Sequence, residues 1–469
     1  MTAKLYDKLV DYSKNGRYPF HMPGHKMGRG IDIKDVFAMD ITEIDGFDNL
    51  HNPTDIIKQA QEDYAALFGA KHTFFAVNGA TGALQAAIMA ICGPDDKVIM
   101  ARNCHRSVYS AMILTGARTV YVMPQYCGVS DLPGGITPES VEEAVNENPD
   151  AKAIIITSPT AEGVVSDIRK IAEIAHKNNM VLIPDEAHGA HFMFSHSFPE
   201  TALEMGADIV VQSAHKTLPC PTQSSVIHIG GNMVDSEKVR EALSIIETSS
   251  PSYVFMGTLD WCREYLEKEG RKIYPEFTDF LINERKRLSV LKNLRLLDKD
   301  VCGKYGIKDI DVSKIVISSQ NVNCVEISQI LRQKYNMEME MGCHGHFMAI
   351  CTISDEKEKI KDLINAIIEI DKHIVPNKSQ KHNLKFTSLN RVVSLRNAYY
   401  SKAEDVPYNE AAGRVSAEFL IPYPPGIPAV SPGELITEEA LENIRLLYES
   451  GVEITGVKYQ GLEKLRVLS

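Results

Sequence analysis

A regular alternation of short apolar runs with longer stretches of helical composition constrains this fold more than any other feature of the sequence. Apolar runs lie at 73–77, 97–101, 119–123, 152–157, 180–184, 208–212 and 225–229. Stretches rich in Ala, Ile, Leu and Met separate the first six runs, at about 80–92, 106–115, 137–146, 167–178 and 199–205. This alternation predicts βαβ units and a largely parallel sheet covered by helices on both faces. The last two runs leave no room for a helix between them, so the final strand is expected to be antiparallel.

The length of the chain predicts more than one domain. At 469 residues it exceeds the roughly 250–300 residues at which single hydrophobic cores stop growing. We divide it into an N-terminal helix and arm (1–39), a large domain (40–280), a small α/β domain (281–372) and a linker with a C-terminal segment (373–469). Further helices are predicted at 3–14, from about 52 to 68, and at 408–420.

Composition excludes several classes of function. A net charge of -12 argues against a nucleic acid or an anionic membrane as partner. Nine cysteines without paired spacing indicate the reduced thiols of a cytoplasmic protein. The sequence has no CxxC pair and no HExxH helix, so no metal is expected. No run approaches the ~20 apolar residues of a membrane span, and the first residues lack the apolar core of a signal peptide.

Two of the apolar runs end in residues that can do chemistry together. Run 208–212 leads into Ser213 and Lys216, and run 180–184 leads into Asp185 and His188. The carboxyl ends of parallel strands face the crevice where α/β folds bind ligands. A partly desolvated lysine there can become neutral and bond an aldehyde, and a carboxylate can pair with the pyridinium nitrogen of pyridoxal 5'-phosphate (PLP). The alternative is an unrelated loop lysine and a helix-capping aspartate.

A strand, a turn of small residues and a helix follow one another at 75–84. Free amides at a helix N-terminus form an anion site, and glycines let the anion come close. We therefore predict that Gly79, Ala80 and Thr81 hold the phosphate of PLP, with Ser213 contributing from the lysine segment. The alternative is an ordinary strand-to-helix turn.

Three motifs carry a resemblance to a known family. They are His21–Lys26 (HMPGHK), Asp185–Gly189 (DEAHG) and Ser213–Lys216 (SAHK). Together they resemble the PLP-dependent Orn/Lys/Arg decarboxylase family of fold type I, in its short form without an N-terminal wing domain. The resemblance implies an aspartate aminotransferase-like large domain, here 40–280, that binds PLP on a mostly parallel seven-stranded sheet. It also implies a smaller C-terminal α/β domain.

The resemblance also implies roles for residues outside the lysine and aspartate motifs. His105 would stack on the cofactor ring, and the arm that contains His25 would lie near the substrate. Thr248 and Ser249 would reach the phosphate of a partner subunit. Ala80 departs from the family, which usually has a hydroxyl residue at that place.

The distal cation of the substrate is expected to meet a carboxylate, because an unpaired buried charge is costly. Glu418 is the first candidate, since it lies between apolar neighbours in the C-terminal block that resembles the family closely. Glu162 is the second candidate. It stands, after Ala161, where the family commonly has an aromatic residue.

The resemblance implies decarboxylation of a basic L-amino acid, with arginine first and lysine or ornithine next. It also implies a homodimer, or a multiple of dimers, with the site at the subunit interface. Lys216, Asp185, His215 and His188 would be catalytic. Lys216 would hold PLP, Asp185 would keep its ring nitrogen protonated, and His215 or Lys216 would return a proton to Cα.

Two alternative functions remain open from the sequence. An aminotransferase on the same fold would clamp the α-carboxylate, and Arg391, Arg396 or Arg414 could provide the clamp. A non-catalytic regulator would be expected to have lost Lys216 or Asp185, and the chain has both.

Overall fold

The structure is a computed structural model that describes residues 4–130, 132–375, 389–423, 426–449 and 451–469. Most of the predicted linker at 373–390 lies outside these described residues. So do Pro424 and Pro425 of the proline-rich C-terminal loop.

A seven-stranded sheet forms the centre of the molecule. Its strands are β1 (His72–Ala76), β2 (Lys97–Ala101), β3 (Arg118–Val122), β4 (Ala151–Thr157), β5 (Val181–Asp185), β6 (Ile209–Gln212) and β7 (Ser225–Ile229). They lie in the order β1–β7–β6–β5–β4–β2–β3. β7 pairs antiparallel with β1 and β6, and the other pairs are parallel. The predicted sheet and its antiparallel final strand are confirmed.

Helices cover both faces of this sheet and continue into the rest of the chain. The α-helices span Lys4–Lys14, Ile56–Phe68, Gly79–Ile91, Arg106–Thr115, Pro138–Glu147, Ile168–Lys177, Ala214–Thr217, Ser236–Ile246, Tyr253–Tyr265, Arg271–Arg287, Cys324–Lys334, Lys357–His373, Leu395–Tyr400 and Glu438–Glu449. Local chemistry sets several of their ends. Thr137 accepts the N–H of Ser140 and precedes Pro138 in the first turn.

Two predicted helices are wrong. Residues 199–205 form turns. Only one helical hydrogen bond forms there, from the N–H of Met205 to the carbonyl of Thr201, and Gly206 then leaves the helical conformation with a φ of 94°. Residues 408–420 form one 3₁₀ turn, Tyr408–Glu410, followed by turns and bends. Isolated bridges pair that backbone with residues 435 and 467, so long-range pairing overrides the helical pattern.

A smaller antiparallel sheet follows the large one. Its strands are β8 (Arg295–Leu296), β9 (Lys314–Ser318), β10 (Met341–Gly342) and β11 (His346–Ile350), in the order β8–β9–β11–β10. The remaining short strands pair as Tyr18–Phe20 with Met337–Met339, Tyr126–Cys127 with Leu132–Pro133, Val164–Val165 with Asp309–Ile310, Ala403–Pro407 with Lys464–Leu468, and Ile421–Tyr423 with Glu453–Thr455. The N-terminal arm is therefore tied by a parallel pair to strand Met337–Met339, which precedes β10.

The C-terminal segment has an apolar core of its own. Leu420, Val430, Ile444, Leu465 and Val467 are buried against one another there. We propose to keep the predicted division of the chain into four parts, because this core supports a separate C-terminal unit.

A buried ion triad fixes the C-terminal segment to the large sheet. Glu434 is 0% exposed, and its two carboxylate oxygens lie 3.2 Å from Arg102 and 3.1 Å from Arg391. Arg102 also donates to the carbonyls of Pro428 and Ala429 at 2.6 and 3.0 Å. Arg102 follows β2, so these bonds hold the C-terminal loop over the carboxyl end of the large sheet.

Replacing Glu434 tests this anchor. Glu434→Gln leaves the buried guanidinium of Arg102 and the partly buried one of Arg391 without a countercharge, and breaking a buried pair costs about 3–5 kcal/mol. We expect the free energy of unfolding, measured in urea, to fall by that amount. Proteolysis of the C-terminal segment should become faster. Glu404→Gln, which removes the exposed partner of Arg414, is the control and should change stability by less than about 1 kcal/mol. Equal stability of both variants would contradict an anchoring role for the triad.

Candidate active site

A cavity of about 360 Å³ lies at the carboxyl end of the large sheet. Residues from the ends of β1, β2, β4, β5 and β6 line it, together with residues from the arm, the small sheet and the C-terminal loop. They include Gly79, Ala80, Thr81, Asn103, His105, Glu162, Asp185, His188, Ser213, His215, Lys216, Glu340, Tyr423 and Ile427. Separate parts of the chain therefore converge on one site.

Lys216 lies in the short helix that follows β6. Its Nζ lies 2.9 Å from Nε2 of His188. Burial lowers the pKa of the Lys216 ammonium, and the negative charges of Asp185 and Glu340 oppose that fall. The amine is therefore closer to its neutral, nucleophilic form than an exposed lysine, which is what bonding an aldehyde carbon requires.

Asp185 ends β5, the strand next to β6, and is 4% exposed. Burial raises the pKa of its carboxyl group, while Lys216 and the backbone N–H of Ala187 counteract the rise. That N–H donates to Oδ1 at 3.1 Å. The second oxygen keeps its capacity to accept a bond from a cationic ring nitrogen.

Three histidines of the cavity are held in their neutral form. Burial, followed by the charge of Lys216, lowers the pKa of His105 to about 4 and that of His188 well below its usual value. Burial also lowers the pKa of His215 to about 4, although a bond to the carbonyl of Ser224 at 3.1 Å opposes it. His105 caps the helix that follows β2 by accepting the N–H of Ser107. A neutral ring fixed in this way can lie against another aromatic ring without adding charge.

The predicted phosphate residues lie together in the cavity. Ala80 and Thr81 occupy the first turn of helix Gly79–Ile91, where backbone N–H groups have no acceptor within the helix. The N–H of Gly79 is already donated to the carbonyl of Gln223 at 3.0 Å. Gly79 thus supplies the tight turn, and its neighbours supply the donors. Ser213 lines the same cavity from the end of β6.

Three other predicted residues lie outside this cavity within one chain. Thr248 and Ser249 are exposed on the surface. His25 is held in the arm, where its Nδ1 accepts the N–H of Gly28 at 2.8 Å. The arm nevertheless reaches the lysine segment, because Gly24 donates its N–H to the carbonyl of His215 at 2.7 Å. A Cβ on Gly24 would lie 2.6 Å from the carbonyl oxygen of Leu218, so the arm can come this close to the lysine segment only with a glycine at position 24.

The structure gives no support within one chain to the predicted role of Glu418. Its side chain is buried, as its apolar neighbours suggested, but it does not line the cavity. Both carboxylate oxygens accept backbone N–H groups, from Lys458 at 2.8 Å and Arg466 at 2.7 Å. Glu418 thus joins turns of the C-terminal segment.

Sequence reasoning missed Glu340 as a site residue. Methionine and glutamate alternate at 337–341, a pattern that is typical of a half-buried strand, and a strand is present at Met337–Met339. The pattern could not show that Glu340 would face Lys216 across the cavity. One oxygen of Glu340 accepts the N–H of Met22 from the arm at 2.8 Å.

The three arginines considered as a carboxylate clamp are engaged elsewhere. Arg391 pairs with Glu434, Arg396 donates to the carbonyl of Leu114, and Arg414 pairs with Glu404. No arginine lines the cavity in the part of the chain that the structure describes.

Within the described ranges, no cluster of His, Cys, Asp and Glu could hold a metal ion. A helix long and apolar enough to cross a lipid bilayer is likewise absent from the described residues.

The arrangement fits a PLP site. A half-buried lysine of lowered pKa, a buried aspartate on the next strand and a helix N-terminus match the aldehyde, the ring nitrogen and the phosphate of that cofactor. Fold and site together define the class of α/β PLP-dependent enzymes.

Comparison with known proteins gives the family. Residues 3–316 match the description "Orn/Lys/Arg decarboxylase, major domain", and residues 382–463 match "Orn/Lys/Arg decarboxylase, C-terminal domain". The chain belongs to the Orn/Lys/Arg decarboxylase family, whose members are PLP-dependent enzymes.

The similarity to individual relatives extends over nearly the whole chain. The sequence is 34% identical over 477 residues to arginine decarboxylases of Bacillus subtilis and Bacillus anthracis, covering 99% of this chain and 97% of each relative. It is 24% identical to a lysine decarboxylase of Pseudomonas aeruginosa, covering 92% of this chain and 74% of that one.

A solved structure agrees with the fold. The lysine decarboxylase of Francisella novicida matches with a TM-score of 0.79 at 19% identity, covering 92% of this chain and 75% of that one. The predicted fold type I architecture is confirmed.

Proposed function

We propose that this chain is a PLP-dependent decarboxylase that releases CO₂ from a basic L-amino acid, with arginine as the first substrate and lysine or ornithine next. The observation that carries the proposal is that Lys216 and Asp185 follow or end two neighbouring strands and line the same cavity. Relatives that share about a third of the sequence over nearly its whole length are named arginine decarboxylase, which supports arginine.

Each part of the cofactor has residues to hold it. Lys216 would bond the aldehyde carbon, Asp185 the ring nitrogen, and the amides of Ala80 and Thr81, with Ser213, the phosphate. His105 would lie against the ring. When bound, PLP withdraws electrons from the bonds at the substrate Cα.

The residues around Lys216 can manage the protons of the reaction. Neutral His188, 2.9 Å from Nζ, can accept a hydrogen bond from Lys216 and so orient its amine, while its lowered pKa keeps it from carrying a second positive charge beside the lysine. After CO₂ leaves, Cα must gain a proton, and Lys216 or His215 would donate it. Asp185 would hold the proton on the ring nitrogen, which its buried charge stabilises.

The chemistry of the cavity favours loss of CO₂ over transamination. An aminotransferase needs to hold the α-carboxylate, and no described arginine lines the cavity to do so. A carboxylate that lacks such a partner is destabilised by desolvation, whereas CO₂ is neutral. Glu162 and Glu340 make the same cavity suitable for a cationic side chain. A non-catalytic role is disfavoured because Lys216 and Asp185 are both present.

We also propose a cytoplasmic homodimer or a multiple of dimers. Helix Lys4–Lys14 buries none of its residues, and Leu5, Tyr6 and Leu9 are 74%, 67% and 59% exposed. A second subunit would cover this apolar stripe. The exposed Thr248–Ser249 turn would then reach the partner's phosphate, as the resemblance to the family implies.

One panel of assays tests the reaction. Purified protein with PLP is given arginine, lysine or ornithine in turn, and CO₂, amine and keto acid are measured. We expect CO₂ and amine in equal amounts, highest with arginine, and no keto acid. Lys216→Ala should remove all turnover and the visible absorbance of the lysine-bound cofactor, while Lys238→Ala, at an exposed helix position, should behave as the wild type. Keto acid without CO₂ would establish an aminotransferase instead.

Asp185→Asn tests the partner of the ring nitrogen. The substitution keeps the shape of the side chain and removes its charge, so the ring nitrogen loses the group that holds its proton. We expect PLP to bind and kcat to fall by about 10²–10³-fold, or about 3–4 kcal/mol. Asp150→Asn, at an exposed position, is the control. A near-normal kcat in Asp185→Asn would assign the ring nitrogen to another group.

A further inference from the structure

Glu162 is a buried carboxylate that lines the cavity, and no cation of the described residues lies within hydrogen-bond distance of it. It is 4% exposed. Among the described residues its ion pair is with His346, whose Nε2 lies 3.8 Å from Oε1, beyond hydrogen-bond distance. Leaving a carboxylate buried without a charge-assisted bond costs free energy, so this group is poised to accept a cation from a ligand.

The loop that carries Glu162 is held in a fixed shape. The N–H of Thr160 donates to the carbonyl of Val164 at 2.9 Å, which closes the loop. Gly163 adopts a φ of 89°, and its carbonyl accepts the N–H of Asp311 at 2.9 Å. A Cβ at 163 would lie 3.0 Å from side-chain carbons of Asp311 and Lys314, so a larger residue would shift the loop. The position of Glu162 is therefore set before a ligand arrives.

Glu340 brings a second carboxylate into the same cavity. It comes from the segment before β10, whereas Glu162 follows β4. One Glu340 oxygen is already used by the N–H of Met22. Apolar Ala161 and Met341 lie beside the two acids, so the surroundings screen charge poorly.

The geometry points to Glu162 as the residue that binds the distal cation of the substrate, with Glu340 as a second acceptor. We infer that this pair selects a guanidinium group over an ammonium group. A guanidinium presents several N–H donors in a planar fork and can bond carboxylates on two sides, while an ammonium is a compact point charge. The inference rests on the proposed function and adds a specificity-determining residue to it.

Glu162→Gln tests the inference through the charge of the substrate. L-Citrulline has the shape of arginine but no side-chain charge, so it serves as a competitive inhibitor that lacks the proposed ion pair. We expect KM for arginine to rise by about 10-fold with little change in kcat, and Ki for citrulline to change by less than about 2-fold. The preference for arginine over lysine should fall as well.

Glu338→Gln is the matched control. Glu338 lies near Glu340 in sequence, but it pairs with Arg332 and Arg17 outside the cavity. It should leave KM, Ki and the preference for arginine unchanged. Glu162→Asp keeps the charge and shortens the side chain, so it should give a KM between those of the wild type and Glu162→Gln. Calorimetric binding of the amine formed from arginine provides a readout without turnover and should weaken about 10-fold in Glu162→Gln.

The outcomes separate this inference from the proposed function. If the wild type decarboxylates arginine and Glu162→Gln keeps the wild-type KM and amine affinity, the inference is overturned and the function stands. If Glu162→Gln does not fold, a wild-type KM for arginine in Glu162→Ala or in Glu162→Asp overturns it equally. If the wild type releases no CO₂ from any basic amino acid, the proposed function fails and the inference fails with it.

Discussion

The placement of a half-buried lysine beside a buried aspartate at neighbouring strand ends is the constraint on which the rest of the structure depends. Asp185 closes β5 and is the register partner of Val211 in β6, so the parallel pairing of these strands brings the turn with Lys216 beside it. Burial alone would neutralise both groups, since it lowers the pKa of the lysine and raises that of the aspartate. Their mutual attraction opposes both shifts, which keeps a reactive amine next to an acid.

Segments far apart in the chain close the space above this pair. The arm reaches the lysine turn through the bond from Gly24 to His215, at a contact that leaves no room for a Cβ. The C-terminal segment is held by Arg102 and Arg391 on the buried carboxylate of Glu434, which brings Tyr423 and Ile427 to the cavity. Both segments place protein over the pair, and charge interactions are stronger where protein replaces water.

Residues at strand ends could be predicted from the sequence, and residues that arrive from elsewhere could not. Lys216, Asp185 and Ala80 follow apolar runs, so the βαβ pattern alone brings them to one edge of the sheet. Glu340 depends on how the small sheet packs against the large one, and no local pattern encodes that distance. Glu418 shows the opposite limit. Its burial was apparent from its neighbours, but the amides that satisfy it lie 40 and 48 residues further along the chain.

The central claim is that Lys216 holds the cofactor, and reductive labelling tests it most directly. Protein loaded with PLP is treated with borohydride and digested, and the pyridoxyl group is located by mass spectrometry. The account predicts one mark, on Lys216. A mark on Lys314, a second buried lysine whose pKa is lowered by burial, would contradict it, as would protein that carries no mark after reduction.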